Sequence, residues 1–167
     1  VMDFGSPDRQ AVLATAGNNG YGLFDLVTGR TLWTWMPPRD AYQGGYAFAP
    51  KASGGGRLFA FPQNTIEGHA FEFSRPGPPV ELWHQRYPDT YWANFGPYLV
   101  LADMDNDGRD DILLAGKPSY FAVMDADTGR IKFDIRYPVP GHEGTGRPYG
   151  LLQAVDIDGD GYRDAVM

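Results

Sequence analysis

A period of 50 residues is the feature of this sequence that most restricts its fold. Large aromatic residues recur at Trp33, Trp83 and Phe133, and a proline follows each of them five residues later. The tripeptides at 86–88 and 136–138 are both Arg-Tyr-Pro. Self-similarity at a fixed period of this length is typical of repeat proteins, in which each copy is one structural unit. The 167 residues therefore contain about three copies and the start of a fourth.

Each copy predicts four short β-strands. In the third copy, apolar runs at 98–102, 112–115, 120–124 and 131–135 are separated by clusters of Asp, Gly and Pro. Such runs are strand signals, and no window carries a helical stripe over ten residues. Four strands in about 50 residues match the size of a propeller blade. An antiparallel β-sandwich with accidental spacing is the alternative.

The repeats predict an all-β fold, organised as a single β-propeller segment. Its blades are expected at approximately 1–46, 47–96 and 97–149, and 150–167 forms the first hairpin of a next blade. Propellers generally close with about four to eight blades, whereas an open stack of three exposes apolar faces at both ends. We therefore expect a fragment of a propeller of about seven or eight blades, completed by the rest of its own protein or by further copies.

The composition excludes several classes of function. The chain has no cysteine, which excludes disulfide scaffolds, cysteine-based zinc sites and thiol catalysis. Its net charge of −7 argues against binding to the phosphate backbone of nucleic acids. No apolar run reaches the roughly 18 residues of a transmembrane helix, so we expect no membrane span.

Two nine-residue loops carry the strongest chemical signal. Residues 103–111 and 156–164 both have the form D-x-D-x-D-G-x-x-D. The carboxylates at positions 1, 3, 5 and 9 converge when such a loop curls, position 7 adds a backbone carbonyl, and glycine at position 6 permits the positive-φ turn. Oxygen ligands without His or Cys favour calcium. The predicted ligands of the two sites are the side chains of Asp103, Asp105, Asp107, Asp111, Asp156, Asp158, Asp160 and Asp164 and the backbone carbonyls of Arg109 and Tyr162.

Two other interpretations of these loops have to be compared with a calcium site. An EF-hand needs glutamate at position 12 and helices on both sides, but position 12 is Leu114 or Met167 and the flanking residues favour strands. The EF-hand is therefore excluded. The remaining alternative is an acidic, solvated turn that holds no metal.

The same loops resemble those of FG-GAP/VCBS repeats in integrin-α-like β-propellers. In that family, a D-x-D-x-D-G-x-x-D loop joins the first two strands of a blade and holds calcium. The resemblance implies two calcium sites, one in 103–111 and one in 156–164. The first copy keeps only Asp3 of the motif, and the second copy has lost it, so neither is expected to hold an ion.

A second resemblance lies on the other half of the blade. The segment 25–33, D-x-x-T-G-x-x-x-W, resembles the repeat of quinoprotein propellers, in which the tryptophan packs between neighbouring blades. The segment 125–133 is a weaker copy. Because this motif also occurs in propellers without a quinone, it predicts blade packing by Trp33, Trp83 and Phe133 more than it predicts chemistry. A quinoprotein dehydrogenase is disfavoured, since the chain lacks the vicinal cysteines of that class.

The connections between blades, at 34–50, 84–97 and 134–150, contain many aromatic and charged residues. Such connections gather on one face of a propeller, where aromatic platforms and arginines suit sugars through stacking and charge-assisted hydrogen bonds. Alternatively, the connections pack on their own blades. The candidates for a ligand face are Arg39, Tyr42, Tyr91, Trp92 and Tyr149.

The sequence favours a calcium-stabilised binding or scaffold module, with a glycan or protein ligand, over an enzyme. We expect it to be extracellular, on the cell surface or periplasmic, because millimolar calcium fills such loops there. The enzymatic alternative is a polysaccharide lyase, since rhamnogalacturonan-type lyases similarly combine Asp-rich loops with propeller blades. In that case His142, Glu143 and Arg147 are the catalytic candidates, supplying a base and a carboxylate clamp for β-elimination from a uronic acid.

Overall fold

The fold is that of a β-propeller segment. The computed structural model describes residues 1–4, 10–16, 20–37, 41–63, 65, 67–87, 99–116, 120–136 and 152–166. Over these residues the chain consists of strands and turns and contains no helix. It follows that no helix long and apolar enough to cross a membrane is found in this part of the protein. The predicted all-β class is confirmed.

The strands form three four-stranded antiparallel sheets and one two-stranded sheet. The first sheet contains β1 (Met2–Asp3), β2 (Gln10–Ala16), β3 (Gly20–Asp25) and β4 (Thr31–Trp35). The second contains β5 (Tyr42–Pro50), β6 (Gly56–Gln63), β7 (Glu67–Phe73) and β8 (Val80–Arg86). The third contains β9 (Leu99–Ala102), β10 (Asp111–Gly116), β11 (Tyr120–Asp125) and β12 (Ile131–Arg136), and the last contains β13 (Gln153–Val155) and β14 (Asp164–Val166). Within each sheet, every strand pairs with its neighbour in sequence, which is the meander of a propeller blade.

The second sheet begins earlier than the sequence period indicated. Its first strand, β5, starts at Tyr42, so the predicted blade boundary after residue 46 falls inside this strand. The pairing of β5 with β6 shifts register between Tyr42 and Gly45. A β-bulge can absorb glycines that otherwise resemble a turn, which explains why the strand extends through this segment.

The core lies between neighbouring sheets. The strand β11 is buried on both faces: Ala122 and Met124 join the core shared with the second sheet, whereas Phe121 and Val123 join the core shared with Leu152 of the last segment. A strand that is covered on both sides needs apolar residues throughout, which accounts for the continuous apolar sequence of β11.

The aromatic repeat packs one blade on the next. The ring of Trp33 in β4 lies 5.5 Å from Phe71 and 5.3 Å from Phe73, both in β7 of the second sheet. Trp83 in β8 is buried, and its Nε1 donates a hydrogen bond of 2.9 Å to the carbonyl of Ala126 in the third sheet's turn. The predicted packing role is therefore confirmed for Trp33 and Trp83.

Phe133 differs from the other two aromatic residues of the repeat, because 53% of its surface is exposed. Among the described residues, the last sheet contains only the hairpin β13–β14 and has no counterpart of β7 or β11. Within the described part of the chain, Phe133 therefore has no such surface to pack against.

The D-x-x-T-G motif builds the same turn in the first and third sheets. The Oδ1 of Asp25 accepts a hydrogen bond of 2.7 Å from the Thr28 amide, and the pair of Asp125 and Thr128 repeats this bond at 2.7 Å. The hydrogen bonds from Thr28 lower the pKa of Asp25. The glycine that follows has a φ of 70° in both copies, a conformation that disfavours other residues. The motif is thus explained by turn geometry.

Candidate functional site

The two acidic loops occupy the same position in consecutive blades. Loop 103–111 joins β9 to β10, and loop 156–164 joins β13 to β14, so each connects the first two strands of its sheet. The loops also touch, because the side-chain amide of Asn106 donates a hydrogen bond of 2.8 Å to the carbonyl of Gly161. Both candidate sites therefore lie on one rim of the propeller segment.

The first aspartate organises the loop 103–111. Its two carboxylate oxygens accept hydrogen bonds from the amides of Asp107, at 3.1 Å, and Gly108, at 2.8 Å. The chain passes through positive φ at Asn106 (58°) and again at Gly108 (85°). Asparagine and glycine are the residues that tolerate this conformation best. The local sequence is therefore sufficient to curl this loop.

The loop 156–164 repeats this geometry. Asp156 accepts hydrogen bonds from the amides of Gly159, at 2.7 Å, and Gly161, at 2.9 Å. These glycines have φ values of 79° and 90°. The prediction of a positive-φ turn at the sixth position is confirmed in both loops.

Six of the eight predicted carboxylate ligands come together in two groups. One oxygen from each of Asp103, Asp105 and Asp107 lies within 4.8 Å of the other two. The second group, defined in the same way, contains Asp156, Asp158 and Asp164. The groups differ in composition, since the first contains the aspartate at position 5 and the second contains the one at position 9. Asp111 and Asp160 are outside them.

Lys132, which the sequence analysis did not single out, explains the position of Asp111. Its ammonium group donates hydrogen bonds to Asp111 Oδ1 (2.7 Å) and to Asp105 Oδ2 (2.9 Å). These two bonds, above all the one to Asp111, raise the pKa of Lys132. Asp111 itself is only 1% exposed, and burial raises its pKa against the opposing effect of the lysine. A positive charge from β12 thus contacts two predicted calcium ligands.

Several predicted site residues lie outside the described part of the chain. These are the ligand-face candidates Arg39, Tyr91, Trp92 and Tyr149, together with the catalytic candidates His142, Glu143 and Arg147. Tyr42 begins β5, but its side chain is also outside the description. The contributions of these residues stay predictions, as do the backbone ligands at Arg109 and Tyr162.

Residues 103–167 match the sequence profile of the FG-GAP-like repeat family. This span contains both acidic loops, so the resemblance inferred from their sequence is confirmed for this part of the chain. A search of curated proteins finds no match.

Two solved structures show the same fold. The C-terminal domain of PilY1 from Pseudomonas aeruginosa superposes with a TM-score of 0.59 at 15% identity, which covers 95% of this chain and 36% of that one. A europium-containing methanol dehydrogenase superposes with a TM-score of 0.50 at 14% identity, over 84% of this chain and 25% of that one. The chain therefore spans about a third or less of the length of these two structures. Such similarities confirm the propeller fold alone.

Proposed function

We propose that this chain is a calcium-stabilised β-propeller module that binds or scaffolds a glycan or protein ligand outside the cytoplasm. The observation that carries the calcium proposal is the approach of three carboxylates in each loop at the same blade position. Like charges at this separation repel one another, and a divalent cation with a preference for oxygen ligands removes the repulsion. The FG-GAP match over 103–167 supports the same assignment.

A complete calcium site needs more ligands than the three carboxylates supply, because Ca²⁺ takes about 6–8 oxygens. We assign the remaining protein ligands to Asp111 and the Arg109 carbonyl in the first loop, and to Asp160 and the Tyr162 carbonyl in the second. Water completes each coordination sphere. Calcium concentrations that fill weak loop sites are found outside the cytoplasm, and this is the basis for the proposed location.

Removal of calcium is expected to lower the thermal midpoint of unfolding. At a free calcium concentration of 100 times Kd, each occupied site adds about 2.7 kcal/mol to the free energy of unfolding. The measurement is a series of thermal melts with chelator and then with restored calcium. In Asp158→Asn, which loses a predicted ligand, part of the calcium-dependent gain should disappear.

Asp110→Asn is the matched control for this experiment. Asp110 is exposed in the same type of loop, but it stands at position 8, where the motif has no ligand. Its substitution removes one negative charge and should leave the calcium-dependent gain intact. Melts that do not respond to chelator or calcium in the unmodified chain would remove the proposal.

The two loops are expected to differ in calcium affinity because Lys132 competes in the first one. Hydrogen bonds to charged groups contribute about 1.5–3 kcal/mol, so Lys132→Met should raise the affinity of loop 103–111 about tenfold or more. Isothermal titration with calcium measures both sites, and loop 156–164 serves as the internal control. If the calcium affinity of loop 103–111 is unchanged in Lys132→Met, the lysine does not compete with the ion.

The ligand class rests on the composition of the connections between blades. Aromatic and arginine side chains there, such as Arg39 and Trp92, suit a glycan that carries carboxylates. A glycan array run in calcium separates a glycan ligand from a protein ligand. An assay that follows the absorbance of unsaturated uronate tests the lyase alternative, and turnover that is lost in His142→Ala would replace the binding proposal by an enzymatic one.

A further inference from the structure

A group of metal-type ligands lies on the second sheet, apart from the acidic loops. Glu67 and His69 stand two residues apart on β7, and His84 on β8 lies directly opposite His69 in the strand register. Glu67 Oε2 is 3.9 Å from the Nε2 of His69 and 3.6 Å from the Nε2 of His84. One ligand atom from each of the three residues lies within 4.8 Å of the others.

His69 is buried with one ring nitrogen unsatisfied. The residue is 6% exposed, and its ring forms a T-shaped pair with Trp35 of the first sheet, with centroids 4.9 Å apart. Its Nε2 is buried and has no hydrogen-bond partner among the described residues. A buried polar atom without a partner is costly, so this nitrogen calls for an explanation.

The hydrogen bond of the other ring nitrogen of His69 determines whether Nε2 carries a proton or a free lone pair. Nδ1 lies 2.9 Å from Oε1 of Glu81. A neutral ring that donates from Nδ1 to a carboxylate carries its free lone pair on Nε2. This is the arrangement of a metal-binding histidine, in which a carboxylate fixes the tautomer and the orientation of the ring.

We propose that Glu67, His69 and His84 bind a divalent transition-metal ion, in the first place Zn²⁺, and that Glu81 orients His69. Two histidines and one glutamate form a common zinc ligand set. Bonds of about 2.0–2.1 Å in a tetrahedral site place ligand atoms about 3.3 Å apart. From 3.9 Å to His69 and 3.6 Å to His84, the two distances to Glu67 therefore need to shorten by about 0.6 and 0.3 Å. Because two of its ligands are imidazoles, this site prefers a transition metal, whereas the acidic loops offer only oxygen ligands and favour calcium.

Metal binding requires a rotation of the His84 ring. The rings of His69 and His84 are stacked, with centroids 4.2 Å apart and an angle of 20° between their planes. Nearly parallel rings do not direct both lone pairs to one point, so the ring of His84 turns when the ion binds. Its side chain is 48% exposed and has room to turn. Water reaches the ion from this open side and occupies the fourth position.

The histidine pair is specific to the second sheet. The same register position is occupied by Gly22 and Thr34 in the first sheet and by Ala122 and Asp134 in the third. The first and third sheets form the same strand pairing without a histidine at this position. The propeller fold therefore does not explain the histidines, whereas a bound metal ion does.

The test is a titration of the calcium-saturated chain with Zn²⁺ by calorimetry, with Co²⁺ absorption as the report on imidazole coordination. We expect one ion per chain. His84→Ala and Glu67→Gln should each weaken Zn²⁺ binding about tenfold or more, and Glu81→Gln about 10- to 100-fold, since carboxylates behind a ligand have effects of that size. His84 and Glu67 are chosen because they are less buried than His69, and circular dichroism checks that both variants are folded.

Thr34→Ala, at the register position that corresponds to His84, and His142→Ala, which removes the third histidine, are the matched controls. Both should bind Zn²⁺ as tightly as the unmodified chain. Absence of Zn²⁺ binding in the unmodified chain, or unchanged affinity in folded His84→Ala and Glu67→Gln, would overturn the proposal. Loss of binding in His142→Ala alone would assign the ion to another site and would also overturn it. Because calcium is held constant, these outcomes do not depend on the acidic loops.

Discussion

Replacement of Trp83 by alanine is expected to lower the free energy of unfolding by about 3–5 kcal/mol, the range for a large aromatic side chain lost from a core. Trp83 is 7% exposed and packs on Phe59 and Phe61 of its own sheet, with ring centroids 6.2 and 6.3 Å away. Its other side abuts Gly129 in the third sheet. The substitution opens a cavity between two blades and also leaves the buried carbonyl of Ala126 without its donor.

Phe133→Ala is the matched control, because Phe133 has the same place in the repeat and is 53% exposed. Its loss should cost less than about 1 kcal/mol, as is usual for a substitution at the surface. Denaturant unfolding of both variants gives the comparison. Equal costs for Trp83 and Phe133 would contradict the packing described between the second and third sheets.

Gly55→Ala is expected to lower the free energy of unfolding by about 3 kcal/mol or more. Gly55 lies in the loop between β5 and β6, and its amide donates a hydrogen bond of 2.6 Å to the carbonyl of Asp3 in β1. A Cβ atom at this position would be 1.9 Å from the backbone carbonyl oxygen of Phe73, and φ is 76°. The backbone has to move to relieve such a contact, because the clash is with a backbone oxygen. The resulting strain adds to the free-energy cost of placing alanine at a positive φ.

Gly29→Ala separates the effect of the close contact from the effect of the positive φ. Its φ of 70° is nearly the same, but a Cβ atom there meets nothing within 4 Å. The cost at Gly29 should therefore be that of the left-handed conformation alone, about 1–2 kcal/mol. Thermal or denaturant unfolding of the two variants measures the difference. A cost at Gly55 no greater than that at Gly29 would contradict the close contact with Phe73.

Gly55 lies in the connection between the first two strands of its sheet, which carries the acidic motif in the third and last sheets. In the second sheet, the loop between the first two strands has lost the motif and is linked to the preceding sheet by the bond from Gly55 to Asp3. In the last sheet, the corresponding loop is linked to the preceding one by the bond from Asn106 to Gly161. Neighbouring blades are therefore joined at this rim in the copies with and without the motif.

Much of the fold was predictable because its determinants are local in sequence. The turn at Asp25 and its copy at Asp125 are formed by side chains that bond amides two or three residues away. The acidic loops curl for the same reason, since their first aspartates bond amides within five residues. Regular repetition of such local units is visible in the sequence as a period, and the period indicated a propeller.

The tertiary structure alone decided the features that depend on register and on packing between sheets. Lys132 contacts Asp105 and Asp111, which lie 27 and 21 residues earlier in the sequence, and no sequence motif predicts these contacts. His84 faces His69 only because β7 and β8 pair in one particular register, and the sequence contains no signal for it beyond the spacing of Glu67 and His69. A strand pairing shifted by one residue turns every side chain to the opposite face. Local sequence therefore determined the turns, the loops and the blade repeat, whereas pairing and stacking of the strands determined which charges and imidazoles meet.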